Sequence, residues 1–187
     1  LITAATFTAK YRDASGIVRE VSTRCRDEVA ARSVLHDLER RAELVKANVM
    51  TAAEDSVAAH QTIELAEHLK AYSAYQTAKG LNKVRIKNTT TRLQLLISEC
   101  EFRQLVALRA GPFEKWLAAR AEAGMSAGNR NEYRQELVGF GNWCVRTGRL
   151  LLNPFSNVPK ADARADQRRK RRAMTAAELD RLLAVAR

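Results

Sequence analysis

The spacing of apolar residues changes once along the chain, and this change constrains the fold more than any other feature. Near the N-terminus apolar and polar residues alternate, with Phe7, Ala9 and Tyr11 on one parity, which is typical of a half-buried strand. From Asp27 onward apolar residues recur every three or four positions, the spacing of one helix face. The chain is therefore predicted to be mainly helical, with its strands confined to the N-terminus.

The first strand is followed by turn-forming residues 13–16 and by the β-branched stretch 17–23, which together predict a β-hairpin. The inward face of the second strand stays open, because its apolar side chains do not share one parity. The next helix presents an apolar stripe made of Ala31, Val34, Leu35, Leu38, Ala42 and Val45. This stripe must be buried, and the hairpin is the nearest surface that can cover it.

Residues 63–150 predict four further helices, which short loops should join into a bundle. Their apolar faces are marked in turn by Leu65, Leu69, Tyr72; Leu93, Leu96, Ile97, Cys100; Phe113, Trp116, Leu117; and Tyr133, Leu137, Phe140, Cys144. Before them, the capping-box spacing of Thr51 and Glu54 predicts a short helix, with the chain near 55–62 as a connector. In the last helix, Gly139 and Gly141 fit either fraying or close approach of another helix.

Beyond Pro159 the composition changes to a polar, Arg-rich linker. A second capping box, Thr175 with Glu178, then predicts a helix with Met174 and Leu179 as a hydrophobic staple. Its leucine stripe has no partner element in the sequence, so we expect it to be the first element of a further domain. The predicted units are a sheet-and-helix module, a helical domain, a linker and the start of another domain, over residues 1–55, 63–158, 159–173 and 174–187.

The basic excess of the chain is localised. The sequence has 32 Lys and Arg against 21 Asp and Glu, a net charge of +11, of which residues 1–60 carry none. Such a localised excess indicates a surface for a polyanion. The longest apolar run, residues 182–186, is far shorter than the roughly 20 residues of a membrane span. Three widely spaced cysteines suggest no disulfide framework, so we expect an intracellular, cytoplasmic protein.

The sequence offers no motif for catalysis or cofactor binding in the structural context that such a motif needs. The histidines, His36, His60 and His68, belong to no HExxH pattern, and no CxxC, GxxxxGK[ST] or GxGxxG occurs. The single GxSxG match, at residues 124–128, stands between two predicted helices rather than after a strand. The acidic residues are scattered over predicted helix faces, where solvated surface is the default. We therefore expect no metal, no cofactor and no small-molecule substrate.

Two clusters of basic and amide side chains lie at predicted helix starts. The first lies before and within the second bundle helix: Lys83, Arg85, Lys87, Asn88, Thr89, Thr90 and Arg92. The second begins the fourth bundle helix: Asn129, Arg130, Asn131 and Arg134. Cations neutralise phosphates, amides and hydroxyls hydrogen-bond base edges, and helix N-termini attract anions. Since Arg130 and Arg134 share a face away from the core, this helix is predicted to fit a major groove.

Several segments resemble one protein family. The hairpin, Phe7-Thr-Ala-Lys-Tyr-Arg-Asp-Ala-Ser-Gly16 with Ile17-Val-Arg-Glu-Val-Ser22, and the Ala-Ala-Arg helix after it resemble the arm-binding module of phage-type integrases. The bundle, with Asn129-Arg-Asn-Glu-Tyr133, Phe140, Trp143, Gly148-Arg-Leu150 and Asn153-Pro-Phe155, resembles the core-binding domain of tyrosine recombinases. The closing Arg171-Arg-Ala-Met-Thr-Ala-Ala-Glu-Leu179 resembles their transition into the catalytic domain.

The resemblance implies a three-stranded, AP2-like sheet backed by a helix and then a SAM-like four-helix bundle. It also implies double-stranded DNA as partner, together with other recombinase protomers, in the integration or recombination of a mobile element. The bundle would clamp a core-type site, and the sheet would bind an arm-type site through Lys10, Arg12, Arg19 and Arg24. The linker run would cross the DNA backbone through Arg168, Arg169, Lys170, Arg171 and Arg172.

The family's catalytic residues are an Arg, a His-x-x-Arg and a Tyr nucleophile, and no His-x-x-Arg occurs in this sequence. The resemblance therefore implies that this chain has no catalysis of its own, whereas its parent would cut and rejoin DNA through a phosphotyrosine link. Two other functions stay open. A helical protein-interaction module could carry the same charge for solubility, and an RNA-binding role lacks an RNP or KH pattern.

Overall fold

The structure, a computed structural model, describes residues 5–61, 63–167 and 172–185. Two antiparallel strands, β1 (Thr8–Arg12) and β2 (Val18–Ser22), form the predicted hairpin, with Ala9 opposite Val21. In the turn, the Asp13 carboxylate accepts hydrogen bonds from the backbone N–H groups two and four residues later, at 3.0 Å each. The described part of the chain contains no third strand in this sheet, so the implied three-stranded sheet is not seen there.

Helix α1 (Glu28–Lys46) packs on the hairpin, as the apolar stripe predicts. Asp27 caps its first turn by accepting a hydrogen bond from the backbone N–H of Ala30 at 2.8 Å. The stripe is buried at Ala31, Leu38 and Ala42 and half-buried at its other positions. On the sheet, burial is concentrated on β1 at Ala9, whereas every residue of β2 is exposed.

Helix α2 (Ala52–Gln61) confirms the first capping box. The Thr51 hydroxyl and backbone N–H both donate to the Glu54 carboxylate at 2.8 Å, and the Glu54 N–H returns a bond to that hydroxyl. The helix runs to Gln61, so most of the stretch near 55–62, which the sequence predicts to connect the two modules, is helical.

Four helices form the bundle: α3 (Leu65–Ala78), α4 (Lys83–Glu99), α5 (Ala110–Glu122) and α6 (Ala127–Arg146). Their core is almost fully shielded from solvent and rich in aromatic rings. Six of its side chains have 1% exposure or less: Leu65, Leu93, Leu96, Phe113, Leu137 and Phe140. Helix α4 pairs with both α3 and α6. It begins at Lys83, ten residues before Leu93, the first apolar position named for it above, so the whole basic run is helical.

The chain after α6 folds back onto that helix and completes the core. Phe155 is fully buried, and its ring meets Phe113 edge-on at a centroid distance of 5.9 Å. The Asn153 side chain donates to the carbonyl of Val138 at 3.0 Å and so ties this return loop to α6. A Cβ on Gly141 would lie under 3.0 Å from the Asn153 amide. The close approach that Gly141 permits is thus made by a loop, not by another helix.

Helix α7 (Ala176–Val185) follows the second predicted capping box, with Thr175 donating to the Glu178 carboxylate at 2.9 and 3.1 Å. Its leucine stripe is exposed at Leu179, Leu182 and Leu183, each near half of its surface. Within the residues described, no other element covers this stripe. No described helix combines the length and the apolar character that crossing a membrane requires.

Candidate nucleic-acid interface

The start of α4 carries the clearest surplus of positive charge. Lys83, Arg85 and Lys87 are exposed, and none of them forms an ion pair with any described residue. Asn82 caps the helix by accepting the Val84 N–H at 2.8 Å, and the first turn contains no acidic side chain. No carboxylate of the first turn therefore neutralises the positive end of the helix dipole. By contrast, the first turns of α1, α2, α3 and α7 all carry a carboxylate.

The middle of α4 has a different character. Asn88 is exposed and Thr90 is half-buried. Thr89 is fully buried and donates to the Glu136 carboxylate at 3.0 Å, so its predicted place in a contact surface is corrected to a packing role. Arg92 is ion-paired with Glu132 and lies 3.8 Å from Glu136, so its charge is largely met by α6.

The start of α6 is already occupied by the chain itself. Ser126 accepts the backbone N–H of Asn129, and the Asp166 carboxylate accepts the N–H of Ala127 at 2.6 Å. The Asn129 side chain is exposed. A carboxylate at a helix N-terminus takes the position that an anion from outside would occupy.

The face of α6 that bears the other predicted contacts is covered by residues 158–161. Asn131 donates to the Ala161 carbonyl and accepts its N–H, both at 2.8 Å, and the Arg134 guanidinium donates to the Val158 carbonyl. The face that carries Arg134 lies away from the bundle core, as predicted, but it is not open, because the chain beyond the bundle returns across it.

Arg130 lies beside this cover and lines a cavity of about 310 Å³ with Leu117 and Lys160. Its Nε is buried and meets no acceptor within the described part of the chain. Arg130 is half-buried, so the cover limits access to this side chain as well.

The starts of α4 and α6 do not form one patch. Thr89 bonds Glu136 and Arg92 bonds Glu132. Residue numbers therefore increase along α4 while those of their partners on α6 decrease, which means that the two helices run antiparallel. At 1.5 Å per residue, the start of α4 is about 20 Å from the level of the start of α6. A cleft of about 540 Å³ between helices α4 and α6, here named the α4–α6 cleft, is lined by Arg85, Asn88, Arg92, Glu132, Gln135 and Glu136.

Most cations of the hairpin are held within the hairpin. Lys10 pairs with Glu20 across the strands at 3.0 Å. Arg19 bonds Asp13 at 2.8 Å, and this guanidinium is the main cause that lowers the pKa of the Asp13 carboxyl. Arg12 donates to the backbone carbonyl of Gly16 at 3.1 Å.

Arg24 follows the hairpin, is exposed and has a positive φ of 58°. On alternation grounds, Lys10 and Arg12 lie on the sheet face opposite the buried Ala9. The hairpin therefore presents a polar face, but its charges are largely matched.

The linker run lies mostly outside the described residues: this holds for Arg168, Arg169, Lys170 and Arg171. Arg172 is described and donates to the Glu178 carboxylate at 2.7 Å. This guanidinium, with the hydrogen bonds from Thr175, lowers the pKa of Glu178 to about 2. Arg172 thus reinforces the cap of α7.

Two strongly shifted titrating groups, His68 and Cys144, lie in the core and do not line the α4–α6 cleft. Burial lowers the pKa of His68 to about 4, although a bond to the His60 carbonyl at 3.3 Å opposes the shift. Burial raises the pKa of the Cys144 thiol to about 12. In the described part of the chain, no three His, Cys, Asp or Glu side chains are grouped so that they could hold a metal ion.

No protein-family model and no curated protein matches this chain. One solved structure that resembles it is a lambda integrase dimer bound to a COC' core site. The likeness has a TM-score of 0.54 at 14% sequence identity and covers 99% of this chain. The fold is integrase-like. The chain spans about half the length of that integrase, 52%, so the likeness concerns the fold of this part.

Sequence reasoning missed the α6 side of the α4–α6 cleft within this integrase-like fold. Gln135 and Glu136 lie three and four residues after Glu132, which places all three side chains on one helix face. That spacing was a usable signal. A search for cations alone does not find these two carboxylates and this amide, which line the cleft with Arg92.

Proposed function

We propose that this chain binds double-stranded DNA as the DNA-binding part of a site-specific tyrosine recombinase of the integrase type. The observation that carries the proposal is the start of α4, where Lys83, Arg85 and Lys87 are exposed and unpaired among the described residues. Three free cations at an unneutralised helix N-terminus are a surface that attracts phosphates. The integrase-like fold supports DNA as the source of those phosphates.

The bundle is the part that binds a core-type site in this proposal. Residues 61–158 carry a net charge of +6, whereas residues 1–60 carry none. The hairpin, whose cations are mostly paired, would bind an arm-type site more weakly or only after its ion pairs open. Further protomers would assemble on the same DNA. Cleavage and rejoining through a phosphotyrosine would belong to the parent protein, in residues other than those of this chain.

Salt dependence of DNA binding tests the proposal. Fluorescence anisotropy of a labelled duplex is titrated with the 187-residue chain between 50 and 200 mM salt. A surface that makes about six phosphate contacts should lose about 10³ in affinity over that range. Absent binding, or an affinity that does not change with salt, would refute this proposal. Either result would favour a helical protein-interaction module, whose charge acts only on solubility.

A charge-matched pair of variants locates the contact. The α4 variant replaces Lys83, Arg85 and Lys87 by alanine, and the logarithmic salt slope should become shallower by almost three, because each lost phosphate contact removes about 0.9.

The control variant replaces three exposed cations of α1, Arg32, Arg40 and Lys46, which are ion-paired with neighbours on that helix. It removes the same charge and should leave the slope nearly unchanged. If both variants reduce the slope equally, binding follows net charge and α4 is not the contact surface.

A further inference from the structure

The α4–α6 cleft contains both signs of charge, unlike the start of α4. Arg85 and Arg92 contribute cations, whereas Glu132 and Glu136 contribute carboxylates. A carboxylate in a surface that binds phosphates lowers affinity by repulsion. The two glutamates therefore need separate explanations.

Glu136 is explained by packing. Its side chain is 15% exposed, accepts the hydroxyl of buried Thr89 at 3.0 Å and lies 3.8 Å from Arg92. It joins α4 to α6 and partly neutralises Arg92.

Glu132 is not explained in this way. Its side chain is 54% exposed, and Arg92, which already has Glu136 beside it and Tyr133 5.7 Å from its guanidinium, is its one polar partner among the described residues. A carboxylate can accept about four hydrogen bonds, so most of the accepting capacity of Glu132, which lines the cleft, is not used by the described residues. The carboxylate is thus poised to receive donors, and DNA phosphates offer none.

Base edges do offer such donors. In the major groove, Glu accepts from the N4 amino group of cytosine, Arg donates to O6 and N7 of guanine, and Asn or Gln pairs with adenine. The cleft contains each of these side-chain types, with Asn88 and Gln135 exposed beside the charged pair. Arg92 and Glu132 are already adjacent, so they can address guanine and cytosine of one base pair together.

We propose that the α4–α6 cleft receives base edges and that Glu132 is a specificity-determining residue, which accepts a cytosine amino group while Arg92 contacts the paired guanine. The proposal rests on the proposed DNA binding. Glu132 favours one base pair and repels phosphate, so it lowers affinity for unrelated duplexes.

The test compares base preference in charge-matched variants. The unmodified chain, Glu132→Gln and Glu122→Gln select from a pool of duplexes with a randomised segment, and affinities are then measured for the preferred duplex and its single-pair changes. Glu122 is an exposed carboxylate of α5 outside the cleft. Urea unfolding of each variant checks that the fold is kept.

We expect Glu132→Gln to reduce discrimination at one G·C pair by at least about fivefold while affinity for unrelated duplexes rises. Glu122→Gln should keep the full preference. An unchanged preference in Glu132→Gln would overturn the role of Glu132 and leave DNA binding intact. Equal binding of all duplexes by the unmodified chain would do the same. If the unmodified chain binds no duplex, both proposals are overturned.

Discussion

Replacing Gly141 by alanine should destabilise the bundle, although alanine is the better helix former. The new Cβ would lie under 3.0 Å from the Asn153 amide, which must move. That amide donates to the Val138 carbonyl and to Asn142 Oδ1 at 3.0 and 2.8 Å, and accepts the Phe155 N–H at 2.9 Å. Losing three bonds at about 1 kcal/mol each outweighs a helix gain of about 1 kcal/mol, so the net cost is about 2 kcal/mol.

Urea unfolding followed by tryptophan fluorescence measures this cost, because Trp116 and Trp143 both lie in the bundle core. With a slope of about 2 kcal/mol per molar urea, the midpoint should fall by about 1 M. Gly139→Ala is the control in the same helix, since its Cβ would make an ordinary 3.5 Å contact with the Tyr72 hydroxyl. That variant should raise the midpoint by up to about 0.5 M.

A double-mutant cycle separates the collision from helix propensity. In an Asn153→Ala background the obstructing amide is gone, so Gly141→Ala should become stabilising by about 1 kcal/mol. The coupling between the two positions is then about 3 kcal/mol. If Gly141→Ala raises the midpoint of the unmodified chain as Gly139→Ala does, the return loop does not pack on α6 as described.

Three further measurements test burial and protonation. Phe155→Ala should cost about 3–5 kcal/mol because the ring is fully buried, whereas Leu152→Ala, at 82% exposure in the same loop, should cost under about 0.5 kcal/mol; equal costs would contradict the packing of the loop. Cys144, buried with a thiol pKa of about 12, should resist alkylation at pH 8 until urea unfolds the chain, as peptide mass spectrometry can show; rapid native labelling would contradict this. Burial lowers the pKa of His68 to about 4, so its neutral form stabilises the fold fully above about pH 6.5, and stability is lost as pH falls toward 4. Between pH 7 and pH 5 the free energy of unfolding should fall by about 2 kcal/mol, and burial lowers the pKa of His60 in the same direction. A His68→Gln variant that keeps the whole pH dependence would refute the assignment.

Local signals in the sequence predict most helices of this fold. Capping boxes at Thr51 and Thr175 need only residues three positions apart, and both form. The apolar spacing of α4 indicates a start later than Lys83, whereas Asn82, a good N-cap residue, marks the observed start. Secondary structure here is therefore readable wherever the stabilising partner is a near neighbour.

Contacts between distant residues explain what the sequence does not predict. The cover over α6 joins Asn131 to Ala161, thirty positions apart, and no local pattern marks either residue as a partner. Thr89 resembles a surface residue in a basic run, yet the bond to Glu136 across forty-seven positions makes its burial favourable. Residue types thus predict a polyanion partner, whereas tertiary contacts decide which of those side chains remain free to meet it.

The bonds between residues 158–166 and α6 also set the reach of α7. If the chain were free from Pro159 onward, residues 159–175 would span up to about 58 Å when extended. With an anchor at Asp166, the nine residues 167–175 join that point to α7, and their contour is at most about 30 Å. Shortening a tether raises the local concentration of whatever it carries. The return of the chain across α6 thus confines anything joined through α7 to a smaller volume around the bundle than the sequence length suggests.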